Sequence, residues 1–125
     1  MRVVVLQLCV DPRLQHEEVR AQVADLLGSR HNPAERIFLV GEIGGNLSES
    51  YLHTVDLALQ AGATLVAAGA LHHDDCLADG RGLRAPLSET VERLRDELTA
   101  RGVACPVLAG HIDTATQRVS WSEEP

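Results

Sequence analysis

The chain opens with Val3-Val4-Val5-Leu6-Gln7-Leu8-Cys9-Val10-Asp11-Pro12-Arg13, and this segment determines how the rest must be arranged. Its first six residues form a nearly continuous apolar run, which is typical of a strand buried on both faces of a parallel sheet. Pro12 then interrupts the run, so Cys9, Asp11 and Arg13 mark the end of that strand. A thiol, a carboxylate and a guanidinium at this place are a candidate for chemistry as well as for packing.

Helix-like and strand-like segments alternate after this opening. Apolar residues at helical spacing predict helices over residues 15–30, 46–62 and 88–102. Asn46, paired with Glu49, and Ser88 are the expected N-caps of the second and third helices. Further strands are predicted over residues 37–40, 63–70, 103–109 and 117–121. Pro106 interrupts the fourth strand and favours an edge position for it.

Strands that alternate with helices imply an α/β fold with right-handed crossovers. We therefore predict a four-stranded parallel sheet in the order 2-1-3-4, with a short antiparallel C-terminal strand and helices on both faces. A length of 125 residues suits a single domain spanning residues 1–125. In such sheets ligands bind beyond the carboxyl ends of the strands, where the strand order reverses. The ends of strands one and three should therefore lie side by side.

The third strand leads into a second polar cluster, His72-His73-Asp74-Asp75-Cys76. Together with Cys9, the residues His73 and Cys76 offer two thiolates and one imidazole, a ligand set that suits Zn²⁺. Taken singly, a cysteine at the end of a buried strand is by default a small core residue. Because all three residues fall at the ends of two strands that should be neighbours, a three-ligand zinc site is favoured. Cys105, beside Pro106, is expected to be a packing residue.

The composition narrows the classes of partner. With 18 acidic and 11 basic side chains the net charge is −7, which argues against nucleic acid or an anionic membrane as the main partner. No run has the length of a membrane span and the apolar start lacks a signal-peptide cleavage pattern, so a cytoplasmic location is expected. Three cysteines are an odd number, and metal binding or thiol chemistry explains them better than a disulfide framework.

The two fragments resemble a family signature. Cys-x-Asp-x-Arg over residues 9–13, followed by His-x-x-Cys over residues 73–76, is similar to the signature of the β-class carbonic anhydrases. Gly44-Gly45 before a helix resembles the family's Arg-Asn-Ala-Gly-Gly element, although residues 41–43 read Gly-Glu-Ile. The segment Gly110-His111-Ile112-Asp113-Thr114-Ala115-Thr116-Gln117 resembles the closing Gly-x-x-Tyr-Asp-x-x-Thr-Gly hairpin, with Ile112 where tyrosine is usual.

This resemblance implies a carbonic anhydrase-like lyase, in which a zinc-bound hydroxide reversibly hydrates CO₂ to bicarbonate. Cys9, His73 and Cys76 would bind Zn²⁺, while Asp11, held ionised by Arg13, would accept a hydrogen bond from the hydroxide. The family also implies a closed form, in which Asp11 leaves Arg13 for the fourth zinc position at lower pH. Activity should then rise with pH above neutrality. Because the family is built from dimers that complete each other's pockets, a homodimer or higher homo-oligomer is expected.

Other interpretations stay open at this point. The same scaffold suits hydrolysis of carbonyl sulfide or carbon disulfide, which also begins with hydroxide attack on a linear molecule. The replaced Arg-Asn element favours a non-catalytic zinc-binding or assembly protein, and a thiol redox protein using Cys9 and Cys76 is a weaker alternative. His53, His72 and His111 are candidate proton shuttles, with three surface histidines as the simpler interpretation.

Overall fold

A computed structural model describes residues 1–123 of the chain. The strands are β1 Arg2–Cys9, β2 Arg36–Glu42, β3 Thr64–His73, β4 Val107–Ile112 and β5 Val119–Glu123. The α-helices are α1 His16–Ser29, α2 Glu49–Gln60 and α3 Leu87–Ala100. Short 3₁₀ turns follow β2 and precede α3, at Ile43–Gly45 and Asp79–Arg81. None of the helices within this part of the chain has the length and apolar character that crossing a membrane requires.

The strands form one sheet in the order β2-β1-β3-β4-β5, which confirms the predicted topology. Strands β1 to β4 run parallel, and β5 is antiparallel to β4. The order reverses at β1, which pairs with β2 on one side and with β3 on the other. The carboxyl ends of β1 and β3 therefore lie side by side, with Cys9 and His73 as the last residues of the two strands.

Helices cover both faces of the sheet, as predicted. Helix α1 packs Val19, Val23 and Leu27 on one face, against alternate residues of β1 such as Leu6 and Leu8. Helices α2 and α3 pack on the other face, against the intervening β1 residues Val3 and Val5. Because side chains of a strand alternate between faces, β1 contributes to both cores and is buried from Val3 onward.

The two predicted helix caps are wrong. Ser48 is the N-cap of α2, and its hydroxyl accepts a hydrogen bond from the backbone N–H of Tyr51. Asn46 instead binds the segment before α3, where its side-chain oxygen accepts from the N–H of Ala85 at 2.8 Å. Helix α3 begins at Leu87 with Pro86 as its N-cap, so Ser88 lies inside the first turn. The Pro86 carbonyl accepts hydrogen bonds from the N–H groups of Glu89 and Thr90, so the helix starts from the backbone without a side-chain cap.

The strand ends also differ from the prediction. Strand β3 continues to His73, so the histidines belong to the strand rather than to the loop after it. The expected edge position of the fourth strand is wrong, because β5 pairs with the outer side of β4. Pro106 precedes β4, and its carbonyl accepts a hydrogen bond from the N–H of Ala68. The last strand begins at Val119 because Gln117, with φ +62°, belongs to the turn.

Candidate metal centre

The structure brings Cys9, His73 and Cys76 together. Each offers a ligand atom, and these atoms all lie within 4.8 Å of one another. The two strand ends supply Cys9 and His73, and the loop that follows β3 returns to place Cys76 opposite them. All three side chains are buried. Among the described residues this is the group of histidine, cysteine and acidic side chains with the geometry to hold a metal ion.

The spacing of the two sulfurs fits a bound cation. Cys9 Sγ lies 4.0 Å from Cys76 Sγ, and both cysteines are free. Two thiolates bound tetrahedrally to one Zn²⁺ at about 2.3 Å would be separated by about 3.8 Å. A disulfide requires a sulfur–sulfur distance of about 2.05 Å. The pair is therefore spaced for sharing a metal rather than for a covalent bond.

His73 offers a free lone pair to the same space. Its Nδ1 lies 2.7 Å from the backbone carbonyl oxygen of Asp74. Since a carbonyl only accepts, Nδ1 is the donor, and in the neutral ring the lone pair is then on Nε2. Nε2 is buried and has no hydrogen-bond partner. An imidazole oriented by a carbonyl at one nitrogen, with the other nitrogen unsatisfied beside two sulfurs, is the usual arrangement of a metal-binding histidine.

The surroundings of Cys9 disfavour its thiolate form, so a nearby positive charge is needed for the thiol to ionise near neutral pH. Burial raises the pKa of Cys9, and the Cys76 sulfur raises it further, whereas the backbone N–H groups of Gly44 and Asp11 lower it by hydrogen bonding to the sulfur. Two thiolates at this separation would repel each other in a buried site. A divalent cation removes that repulsion, so metal binding and deprotonation are coupled.

Gly44 and Gly45 allow this close approach of the backbone. Both have left-handed backbone conformations, with φ of +71° and +67°. A Cβ atom on Gly45 would lie only 3.2 Å from the carbonyl oxygen of Leu71 and 3.3 Å from the ring of His72. Glycine suits both demands because it has no side chain to clash. The predicted glycine element is thus packed against the strand ends that form the site.

An Asp–Arg pair lies beside the ligands. Arg13 Nε donates to Asp11 Oδ1 at 3.0 Å and Arg13 Nη2 donates to Asp11 Oδ2 at 2.7 Å. This bidentate contact lowers the pKa of Asp11 to about 2. Asp11 Oδ2 is 3.7 Å from His73 Nε2. Arg13 Nη2 also donates to the carbonyl oxygen of Asp75 at 2.9 Å, which ties the two sequence fragments together.

An apolar cavity opens onto the two sulfurs. It has a volume of about 190 Å³, and its walls are Cys9, Val10, Asp11, Pro12, Ile43, Cys76, Leu77 and Ala78. Three of these apolar residues are strongly exposed: Val10 at 58%, Ile43 at 53% and Leu77 at 79%. The cavity mouth therefore presents hydrocarbon to the solvent, with the carboxylate of Asp11 as its acidic group.

The three candidate proton shuttles differ in exposure. His53 and His111 are exposed, as surface histidines should be. His72 is only 2% exposed, so its interpretation as a surface residue is wrong. Burial lowers the pKa of His72 to about 4, which keeps the ring neutral at physiological pH. It lies on the opposite side of β3 from His73 because side chains of a strand alternate.

Two glutamines near the site were not singled out from the sequence. Gln7 is fully buried in β1, and its amide donates to the Val40 carbonyl while accepting from both the N–H and the hydroxyl of Ser48. Gln117 bonds the segment that carries Arg13. A polar residue in the apolar run was the signal for Gln7. For Gln117 the signal was its place where the related hairpin motif has glycine.

The fold is shared with solved carbonic anhydrase structures. The carbonic anhydrase from Streptococcus mutans is 19% identical and aligns over 96% of this chain and 81% of its own, with a TM-score of 0.59. The β-carbonic anhydrase CafA of the fungal pathogen Aspergillus fumigatus is 10% identical and aligns over 98% and 76%, with a TM-score of 0.53. The carbonic anhydrase from Glaciozyma antarctica is 14% identical and aligns over 94% and 80%, with a TM-score of 0.50.

The sequence matches no protein-family profile and no curated protein sequence. With identities of 10–19%, the structural likeness establishes the fold. That fold is the one found in the β-class carbonic anhydrases, and this confirms the predicted resemblance at the level of architecture. The three predicted ligands and the Asp–Arg pair meet at one place on it.

Proposed function

We propose that this protein binds Zn²⁺ through Cys9, His73 and Cys76 and catalyses the reversible hydration of CO₂ to bicarbonate and a proton. The observation that carries the proposal is the buried, unpartnered Nε2 of His73 beside two thiol sulfurs. Three protein ligands with a fourth position free for water are typical of catalytic zinc sites, whereas structural sites have four. The names of the solved proteins that share the fold support the same reaction.

The polar groups of the chain have defined tasks in this reaction. Bound at these ligands, Zn²⁺ would lower the pKa of water and supply hydroxide as the nucleophile near neutral pH. Asp11 is ionised at that pH because Arg13 holds its pKa at about 2. An ionised carboxylate accepts a hydrogen bond from the attacking O–H and directs the oxygen lone pair toward the substrate carbon. Arg13 fixes the orientation of that carboxylate through two N–H···O contacts.

The cavity walls favour a small, uncharged substrate. The side chains of Val10, Ile43 and Leu77 present only carbon at the mouth, which suits the entry of small, uncharged, linear CO₂. Carbonyl sulfide and carbon disulfide have the same shape and lack of charge. The cavity walls therefore do not distinguish the three substrates, and their reaction rates must be compared directly.

We also propose that the protein forms a homodimer or higher homo-oligomer. The exposed apolar residues Val10, Ile43 and Leu77 surround the mouth of the site, where a second copy of the chain would cover them. Such a contact would complete the walls of a cavity that is open in one subunit. A single domain across residues 1–125 and a cytoplasmic location stay predictions.

Zinc analysis tests the ligand set. Cys76→Ser should lose bound zinc on dialysis, because one of three ligands is replaced by a weak one, and the loss of affinity should exceed the roughly 10–100-fold typical of changes around a metal site. Cys105→Ser, which removes a thiol outside the site, should keep about one zinc per chain. Loss of zinc from both variants, or from neither, would contradict the assignment. A wild-type protein with no zinc and a Cys9–Cys76 disulfide would favour the thiol redox interpretation.

Stopped-flow measurement of CO₂ hydration across pH tests the activity. The zinc-loaded wild-type protein should be active, with a rate that rises with pH above neutrality. Asp11→Asn keeps the shape of the side chain but removes its charge, so it should retain zinc while kcat/KM falls by about 10²–10⁴-fold. Zinc-loaded protein that hydrates no CO₂ but hydrolyses carbonyl sulfide or carbon disulfide would replace the substrate. Activity on none of the three would indicate a non-catalytic zinc protein.

A further inference from the structure

We infer that Gln117 is a positioning residue, whose side chain holds the backbone around Leu14 so that Arg13 keeps the Asp11 carboxylate directed at the metal centre. This inference rests on the proposed function, because it concerns the task of the Asp11–Arg13 pair. Gln117 lies in the turn between β4 and β5, far along the chain from that pair. It is only 6% exposed.

The side-chain amide of Gln117 makes hydrogen bonds on both sides of Leu14. Its Nε2 donates to the Arg13 carbonyl oxygen at 2.9 Å and to the Thr114 carbonyl oxygen at 2.8 Å. Its Oε1 accepts from the backbone N–H of Gln15 at 2.8 Å. Both donors of the amide are used, and the oxygen is used as well. One buried side chain thus fixes the peptide groups immediately before and after Leu14.

The segment from β1 to α1 has few other anchors. A backbone hydrogen bond joins the Leu14 N–H to the Asp11 carbonyl at 3.1 Å, and the Leu14 side chain is buried. The N-cap of α1, Gln15, has no side-chain capping bond of its own. The Arg13 side chain is 44% exposed, and its hydrogen bonds go to the Asp11 carboxylate and to the carbonyl oxygen of Asp75. Its reach to both partners depends on where the backbone of this segment is held.

The backbone of Gln117 is held in an unfavourable conformation. Its φ of +62° lies in the left-handed region, where a residue with a side chain is disfavoured and glycine is preferred. The hairpin motif that this segment resembles has glycine at the corresponding place. A glutamine here forgoes the backbone advantage of glycine, and the hydrogen bonds to the Arg13 segment compensate for it. Strain of this kind that persists beside an active site commonly has a functional reason.

The same turn also contacts the second sequence fragment. The backbone N–H of Thr114 donates to Asp74 Oδ1 at 2.7 Å, and its hydroxyl lies 3.2 Å from Asp74 Oδ2. The carbonyl oxygen of Asp74 in turn accepts from His73. The turn is therefore a common support for the Asp–Arg pair, through Gln117, and for the histidine ligand, through Thr114.

Gln117→Gly separates positioning from folding. Glycine relieves the strained backbone while it deletes the amide, so the thermal midpoint and the zinc content should stay close to those of the wild type. The kcat for CO₂ hydration should fall by about 10–100-fold, with a smaller change in KM, because the carboxylate is misdirected. In ¹H–¹⁵N NMR spectra, the Arg13 Nε–H signal, protected by Asp11 in the wild type, should broaden through faster exchange with water.

Gln22→Ala is the matched control. Gln22 donates to the carbonyl of Gln117 and accepts from the N–H of Val119, so it anchors the same turn without contacting the Arg13 segment. This variant should leave both kcat and the Arg13 Nε–H signal at wild-type values. An equal effect of Gln22→Ala and Gln117→Gly would reduce Gln117 to a structural role and overturn the inference.

A second variant covers a failure of Gln117→Gly to fold. Gln117→Glu keeps the shape and the acceptor for Gln15, but it places carboxylate oxygen against the Arg13 carbonyl, so it should give the same losses. A folded variant with wild-type kcat and an intact Arg13 signal overturns the inference. If the zinc-loaded wild type hydrates no CO₂, the proposed function fails, and the Arg13 Nε–H signal alone then decides on Gln117.

Discussion

The two ring nitrogens of His73 have different surroundings: one faces a backbone carbonyl, and the other is left for the metal ion of the proposed site. The proton on Nδ1 is directed at the Asp74 carbonyl oxygen, 2.7 Å away, so the tautomer is set by the backbone rather than by the metal. The carboxylate of Asp74 is itself held by Thr114. The imidazole therefore needs little reorganisation on binding, and this orientation increases metal affinity without any added ligand.

Arg13→Gln should reveal the pairing of Asp11 through the pH dependence of stability. The pKa of Asp11 is lowered from 3.8 to about 2, so the pairing stabilises the fold above pH 3.8 and this contribution is lost as the pH falls toward 2. The wild type should therefore exceed Arg13→Gln in urea midpoint at pH 7, and the difference should shrink between pH 4 and pH 2. Arg118→Gln, the same charge change at an exposed position, should show no such narrowing.

Strands β3 and β4 come so close at Gly69 that no side chain fits. A Cβ atom there would lie 2.2 Å from the Leu108 carbonyl oxygen and 2.9 Å from a methyl group of Leu6. Gly69→Ala must push the strands apart and should lower the free energy of unfolding by about 1–3 kcal/mol or more. Because β3 ends at His73, it should also weaken zinc binding.

Gly28→Ala is the control for this change, because a Cβ on Gly28 in α1 would meet nothing within 4 Å. Alanine there should stabilise the protein by about 0.4–1 kcal/mol, since it restricts the unfolded chain. Urea unfolding of both variants measures the two effects. Equal stability of Gly69→Ala and the wild type would mean that the β3–β4 spacing is wrong.

Apolar periodicity predicted which helices and strands form, but it placed their first and last residues poorly. The continuous run in β1 and the alternation of helices with strands were sufficient for the sheet order and for the meeting of Cys9 with His73. The N-cap predicted for α2 was wrong because Asn46 and Ser48 are both good capping residues, and tertiary contacts decide between them. The place of Gln117 where the hairpin motif has glycine indicates its positive φ, but its hydrogen bonds to the segment around residue 14 join distant parts of the chain, which no local pattern encodes.

The site exists because the strand order reverses at β1. The connections after β1 and β3 leave the sheet toward opposite faces, because α1 packs on one face and α3 on the other, and a space is left between the two strand ends. The β4–β5 turn contacts both loops beside this space, with Thr114 bonded to Asp74 and Gln117 bonded to the Arg13 carbonyl oxygen. The side toward Val10, Ile43 and Leu77 presents exposed hydrocarbon. That side is where an association between copies would have the largest effect on the site.

Leu77→Asp should weaken self-association if two copies meet at this opening. A charge placed among buried apolar contacts should raise the dissociation constant by about tenfold or more. Leu57→Asp changes an equally apolar residue on α2 that is 65% exposed and does not line the cavity, so it should leave association unchanged.

Each copy carries a net charge of −7, so the copies repel each other. Added salt screens this repulsion but not the apolar contact, and the wild-type dimer should tighten as ionic strength rises. Sedimentation velocity of the wild type, Leu77→Asp and Leu57→Asp across protein and salt concentrations measures these effects. A wild type that is monomeric at every concentration would contradict the proposed interface. So would a Leu77→Asp variant that associates as the wild type does.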